Sequence, residues 1–195
     1  MSTIYYTATT LDGFLADPDD SLDWLFRQNQ EDGGSFGYEA FIANVGAIAM
    51  GATTYEWVRS HLAASGEPWP YKQPTWVFTH RDLPLIDGAD VRLTNGAVDR
   101  VHADLTRAAD GTDVWIVGGG ALAADFARAG LLDEIVVSIA PVTLGAWTSV
   151  ALGTVRPAVV RHRAQCGLRV RALPRGGHAD RGPARRRVIH PGRER

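Results

Sequence analysis

At 195 residues the chain is long enough for one α/β domain with a proper core and too short for two of ordinary size. Apolar residues make up 45% and charged residues 22%, close to ordinary soluble usage, which argues against a disordered chain or a membrane protein. No stretch approaches the roughly 18 apolar residues of a spanning helix, and the N-terminus (MSTIYYTATTLDGF) lacks the basic and apolar regions of a secretory signal. The single cysteine, Cys166, excludes an internal disulfide framework and a cysteine-built zinc site; the expected compartment is the cytoplasm.

In chain order, short runs rich in β-branched and aromatic residues alternate with amphipathic stretches, the signature of βα units around a largely parallel sheet. Strands are expected at residues 3–8, 47–50, 75–79, 90–93, 113–117 and 134–140. Helices are expected at residues 38–44, 53–61, 98–108 and 121–129, the last followed by Gly130 where a helix-terminating glycine belongs. Residues 16–21 and 64–74, dense in Asp, Pro and Gly, read as surface loops. No internal repeat is evident.

A seam divides the chain near Trp147. Through Ala146 there are 20 acidic against 8 basic residues, whereas from Trp147 onward 12 arginines face only Asp180 and Glu194. The tail lacks Phe, Tyr and Lys, and beyond Trp147 offers no large aromatic on which to build a core. A basic arm for nucleic acid is disfavoured, because neither aromatic interleaving nor recognition-helix periodicity accompanies the arginines. A solvated, disordered extension fits the Arg, Pro and Gly richness. The preferred reading is a shifted-frame translation of a GC-rich region, which sequencing of the coding DNA tests. Only residues 159–160 and 168–170 have the character of short strands. The chain is accordingly divided into a domain over residues 1–146 and an atypical tail over 147–195.

Ligands of open α/β sheets bind beyond the carboxyl ends of strands, so the residues after each strand are the candidates. Gly118, Gly119 and Gly120 precede a helix at Ala121; such glycines let the backbone approach a diphosphate, and the helix start supplies free amides. Gly118 to Ala123 also fits the spacing of a Rossmann fingerprint, but the acidic residue required about 20 positions later is absent from 139–143, Ile-Ala-Pro-Val-Thr. Gly51 with Thr53 and Thr54 opens another helix and suits a second phosphate, although Thr53 as a simple helix cap needs no ligand. Thr79, His80 and Arg81 end a strand with a hydroxyl, an imidazole and a guanidinium; the arginine suits a 2′-phosphate, or pairs with Asp82. Asp17 to Asp20 hint at calcium, but Leu22 and Gln28 stand where an EF-hand needs Gly and Glu. No metal site is expected. Trp24, Phe26, Phe36, Tyr38 and Phe41 either line a pocket or build core.

The order of these motifs resembles the dihydrofolate-reductase-like superfamily, and within it the RibD C-terminal domain family of riboflavin biosynthesis reductases. The matching segments are TLDGFLA (10–16), MGATTYEW (50–57), WVFTHR (76–81), VWIVGGG (114–120) and LLDEI (131–135) leading to APVTLG (140–145). The resemblance implies an α/β fold with a mostly parallel, mixed sheet flanked by helices. It further implies NADPH as cofactor and hydride transfer to a small pyrimidine- or pterin-like substrate such as 5-amino-6-(5-phosphoribosylamino)uracil, with a homodimer among the assemblies it allows. Carried over by motif, Gly51, Thr53 and Thr54 would touch the diphosphate. Thr79, His80 and Arg81 would meet the adenosine phosphate. Gly118, Gly119, Gly120 and Ala121 would meet the diphosphate and nicotinamide side, and Ala8 and Asp12 would lie beside nicotinamide and substrate. Many relatives carry Arg where this chain has Ala52, which leaves the NADPH assignment resting on Arg81. The cofactor supplies the hydride in such chemistry, so no nucleophilic triad is sought, but a polar group must orient the substrate or relay a proton, and Asp12 is the candidate. Its alternative role is that of a turn residue accepting backbone amides. The acid that dihydrofolate reductases place in their first helix has no clear counterpart, since residues 19–23 precede the first expected helix, which lowers the odds of dihydrofolate reductase activity. A catalytically silent nucleotide-binding protein is the competing reading.

Overall fold

The computed structural model describes residues 1–28 and 37–145 and the backbone of the strand Val159–Ala164. Seven strands form one sheet: β1 (Thr3–Thr10), β2 (Val45–Gly51), β3 (Thr75–Phe78), β4 (Val91–Thr94), β5 (Asp113–Val117), β6 (Glu134–Ala140) and β7 (Val159–Ala164). Their order is β4-β3-β2-β5-β1-β6-β7. Every pairing among the described strands is parallel. The antiparallel member implied by a mixed sheet is therefore not among them, while the expected α/β class and helix-flanked sheet are present.

Successive side chains of a strand point to opposite faces, and both faces here are covered, so the strands read as nearly unbroken apolar runs. One core joins Tyr5, Ala49, Trp76 and Ile116 to helices α4 (Val98–Ala109) and α5 (Gly120–Arg128) through Leu105 and Phe126. The other joins Ile48, Met50, Val77 and Trp115 to α3 (Ala52–Ser65) through Tyr55. Phe41 of α2 (Tyr38–Ile42) packs on that second face, stacked on Tyr6 with ring centroids 4.2 Å apart.

β5 and β6 have the expected limits; β1, β2 and α3 are longer. The third helix continues past His61 because Leu62, Ala63 and Ala64 sustain it, and it ends where Gly66 takes the left-handed conformation, φ +75°. A short helix, α1 (Asp23–Phe26), lies where none was expected. β7 pairs with β6 from Val159 opposite Glu134 to Ala164 opposite Ile139. The short strand expected at 159–160 thus lies beyond the seam and runs on to Ala164; residues 168–170 and the rest of the tail lie outside the described residues. From β1 the chain crosses to β2 and moves outward to β4, then returns to insert β5 between β2 and β1 before passing to β6. The carboxyl ends of β2, β5 and β1 therefore meet where the winding reverses, the position at which such sheets take ligands.

Candidate functional site

At that reversal Gly118 leaves β5 with φ +90°, and a Cβ there would lie 2.7 Å from Cγ2 and 2.9 Å from Cβ of Thr54. Thr54 belongs to the first turn of α3, so the turn after β2 and the turn after β5 are packed against each other. The buried hydroxyl of Tyr5 on β1 donates to the Gly118 carbonyl at 2.8 Å, and burial raises its pKa to about 12. Residues of β1 and α3 thereby hold the turn that follows β5. Next to it, Gly119 precedes α5 with φ −65° and ψ 146°, and Gly51 precedes α3 with φ −82° and ψ 162°. Neither helix start carries a side-chain cap, and nothing lies within 4 Å of a Cβ built on Gly119 or Gly51. The first amides of a helix have no partner within it, so two such starts with bare glycine backbone in front suit an anionic, elongated ligand. Gly51, Thr54, Gly118, Gly119 and Gly120, with Thr53 and Ala121 adjoining in sequence, are thus brought to one place. Ala8 lies on β1 three residues beyond Tyr5, opposite Ser138 of β6.

Beyond the glycine turns a groove of about 670 Å³ opens at the ends of β3 and β4, lined by Phe78, Thr79 and His80, by residues 94–98 and by Leu122, Asp125, Arg128 and Ala129 of the α5 side. Thr79 accepts the Arg81 amide on its hydroxyl at 2.9 Å and donates its own amide to the Thr94 carbonyl at 2.8 Å. Arg81 turns out of the groove. Its guanidinium takes both carboxylate oxygens of Glu56 on α3, at 3.1 and 2.6 Å, rather than Asp82. The reason is tertiary: β2 and β3 are neighbours, which brings α3 beside the end of β3. Arg128 is likewise paired, with Asp125.

Asp12 is engaged differently from a free acid. Thr10 donates to its Oδ1 at 2.5 Å, and the amides of Leu144 and Gly145 donate to Oδ2 at 3.1 and 2.8 Å. The Thr10 hydroxyl, with the Gly145 and Leu144 amides after it, holds the carboxyl below the usual carboxylate range. With the Leu11 amide donating to the Val142 carbonyl at 2.8 Å, these bonds fasten the loop after β6 to the end of β1. Asp23 does open a helix, contrary to expectation, but its side chain is exposed and 3.6 Å from Arg27. Of the aromatics, Trp24 is buried and donates to the Leu15 carbonyl, Phe26 is exposed beside Trp57 and His61, and Phe36 lies outside the described residues.

The sequence reading missed Tyr5, the Thr54 to Gly118 contact, Thr94, Asn95, Gly96 and the Asp125–Arg128 pair. Strand-end reasoning applied to β4 would have found Thr94, Asn95 and Gly96, and i,i+3 spacing on the expected helix would have found Asp125 with Arg128; the others carry no local signal. Among the described residues no group of three His, Cys, Asp or Glu is placed to hold a metal ion, and no helix is long and apolar enough to cross a membrane.

Residues 2–159 match the family described as the RibD C-terminal domain. The chain is 33% identical over 144 residues to the uncharacterized protein YwjB of Bacillus subtilis (strain 168), covering 73% of this chain and 78% of that one. A crystal structure of a putative riboflavin biosynthesis protein from Shewanella sp. PV-4 is similar with a TM-score of 0.64 and 30% identity, over 77% of this chain and 82% of that one. The diaminohydroxyphosphoribosylaminopyrimidine deaminase/5-amino-6-(5-phosphoribosylamino)uracil reductase of Thermotoga maritima shares the fold, with a TM-score of 0.52 and 16% identity, over 76% of this chain and 47% of that one. Fold, ordered motifs and family match agree, and the chain belongs to the RibD C-terminal domain family.

Proposed function

We propose that this protein is a nicotinamide-dinucleotide-dependent reductase, with NADPH as the first donor to try, that transfers a hydride to a small pyrimidine- or pterin-like heterocycle, with a ribosylaminopyrimidine as the first substrate to try. The observation that carries the reading is the joining of two glycine-capped helix starts by the Thr54 to Gly118 contact at the reversal of the sheet. That cradle fits a diphosphate, and the groove beside it at Thr79, His80 and residues 94–98 fits an adenosine. NADPH, when bound, supplies the hydride. The chain's own residues do the rest. Gly51, Thr53, Thr54 and Gly118 to Ala121 hold the diphosphate, Thr79 and His80 contact the adenosine end, and Ala8 leaves room at β1 for the reacting rings. Asp12 acts as a positioning residue. Its carboxylate, kept ionised by Thr10, Leu144 and Gly145, fixes the loop at the end of β1 and is a poor proton donor at neutral pH.

The test is a thermal-shift titration of the full chain with NADPH and with NADH, followed by the loss of NADPH absorbance in the presence of a ribosylaminopyrimidine or a dihydropterin. Stabilisation by dinucleotide together with substrate-dependent oxidation is expected. A protein that melts cooperatively and is stabilised by neither dinucleotide sinks the reading, and stabilisation without turnover on either substrate class favours a silent nucleotide-binding protein.

A further inference from the structure

The pairing of Arg81 bears on how the site chooses between dinucleotides, provided that the site binds one, as the proposed reductase function requires. Ala52 and Glu56 lie four residues apart on α3, hence one turn apart on the same helix face. The first turn of that face, at the helix start, carries a methyl group and no charge. The second carries the Glu56 carboxylate, which takes the Arg81 guanidinium by both of its oxygens. Two-point pairing of this kind is the geometry an arginine also offers a phosphate, so the carboxylate and a ribose phosphate compete for one fork. Thr79 fixes the Arg81 backbone at the groove's edge, and Thr79 and His80 line the groove while Arg81 does not. The arginine on the groove wall, Arg128, is paired with Asp125. Each of these guanidinium groups thus comes with its own carboxylate, and the groove offers little reward for an added phosphate dianion.

We infer that Glu56 is a specificity-determining residue: by holding Arg81 it suppresses discrimination in favour of the 2′-phosphorylated dinucleotide. The test measures dissociation constants of NADPH and NADH for the full chain at fixed ionic strength, by protein fluorescence, in wild type, Glu56→Gln, Arg81→Gln and the double variant. Wild type is expected to bind the two with similar strength. E56Q is expected to shift the ratio toward NADPH by about tenfold, the order of one charge-assisted contact, and the shift should vanish in the double variant and shrink in high salt. R81Q alone is expected to change the ratio by less than about twofold, because Arg81 is already engaged, and a large change in this arm overturns the inference even if E56Q fails to fold. An unchanged ratio in folded E56Q, a shift that survives in the double variant, or a large loss of NADPH preference in R81Q overturns the inference while leaving the reductase reading intact. Binding of neither dinucleotide to wild type overturns both.

Discussion

The turn at Gly118 and the groove at the ends of β3 and β4 adjoin one another but are built on opposite terms. The turn is over-determined: Tyr5 from β1 and Thr54 from α3 both close on Gly118, whose φ of +90° and missing Cβ leave one amino acid acceptable. The groove is open and edged by charge, and its side chains pair with one another. For the proposed dinucleotide site, the contrast would put rigidity where the ligand is invariant, at the diphosphate, and permissiveness where ligands differ, at the ribose.

The strongest way to break this contrast is Gly118→Ala, which adds both a left-handed strain and a clash with Thr54. We expect a loss of about 2 kcal/mol or more of stability, a fall in Tm of about 4–8 °C, with dinucleotide stabilisation abolished. A smaller fall than this means the turn yields and is less rigid than described. Next is Gly119→Ala, where the backbone is ordinary and the space open. Its stability without ligand should stay within about 0.5 kcal/mol of wild type, while the dissociation constant for NADPH rises about tenfold, because the added methyl stands in front of the helix start. Equal losses of stability and binding would place the glycine in the architecture rather than against a ligand.

Tyr5→Phe removes the donor from the Gly118 carbonyl and should cost about 1 kcal/mol, read as a fall in Tm of about 2–4 °C. Asp12→Asn sharpens the comparison with the loop clamp on the far side of β1. The folded-state pKa of Asp12 is lowered, so its stabilisation is present above the ordinary carboxylate pKa and disappears as pH falls through the lower folded value. Wild type should therefore melt above D12N at neutral pH, and the two should converge on acidification below about pH 4. A difference that persists in acid would assign the effect to shape rather than charge. The smallest effect is expected for His80→Ala in the groove: stability within about 0.5 kcal/mol and a change in NADPH affinity of no more than about threefold.

Much of this was legible along the chain because it depends on local rules. The short apolar, β-branched runs gave β5 and β6 their limits. Glycine before a helix marked Gly51 and Gly118 to Gly120, and the ordered motifs named the family. The helix at Asp23–Phe26 escaped because four residues carry too little periodicity to register. β7 escaped in extent because its arginine-rich surroundings resemble no strand, and a parallel partner across the sheet is what recruits it.

By itself, then, the sequence determined the βα alternation, the strand ends that carry glycine turns, and which backbone positions are bare of side chains, since these follow from propensity and spacing within a few residues. The tertiary structure alone decided that Arg81 belongs to Glu56 and not to its neighbour Asp82, that Asp12 clamps the loop at Leu144 and Gly145, and that Thr54 fills the space above Gly118. Each of these joins residues at least 25 positions apart, and such pairs exist only after the sheet has set β2 beside β3 and β5, and β1 beside β6. Sequence spacing carries no record of that distance, because parallel strands are brought together by the helices between them and not by the chain that joins them.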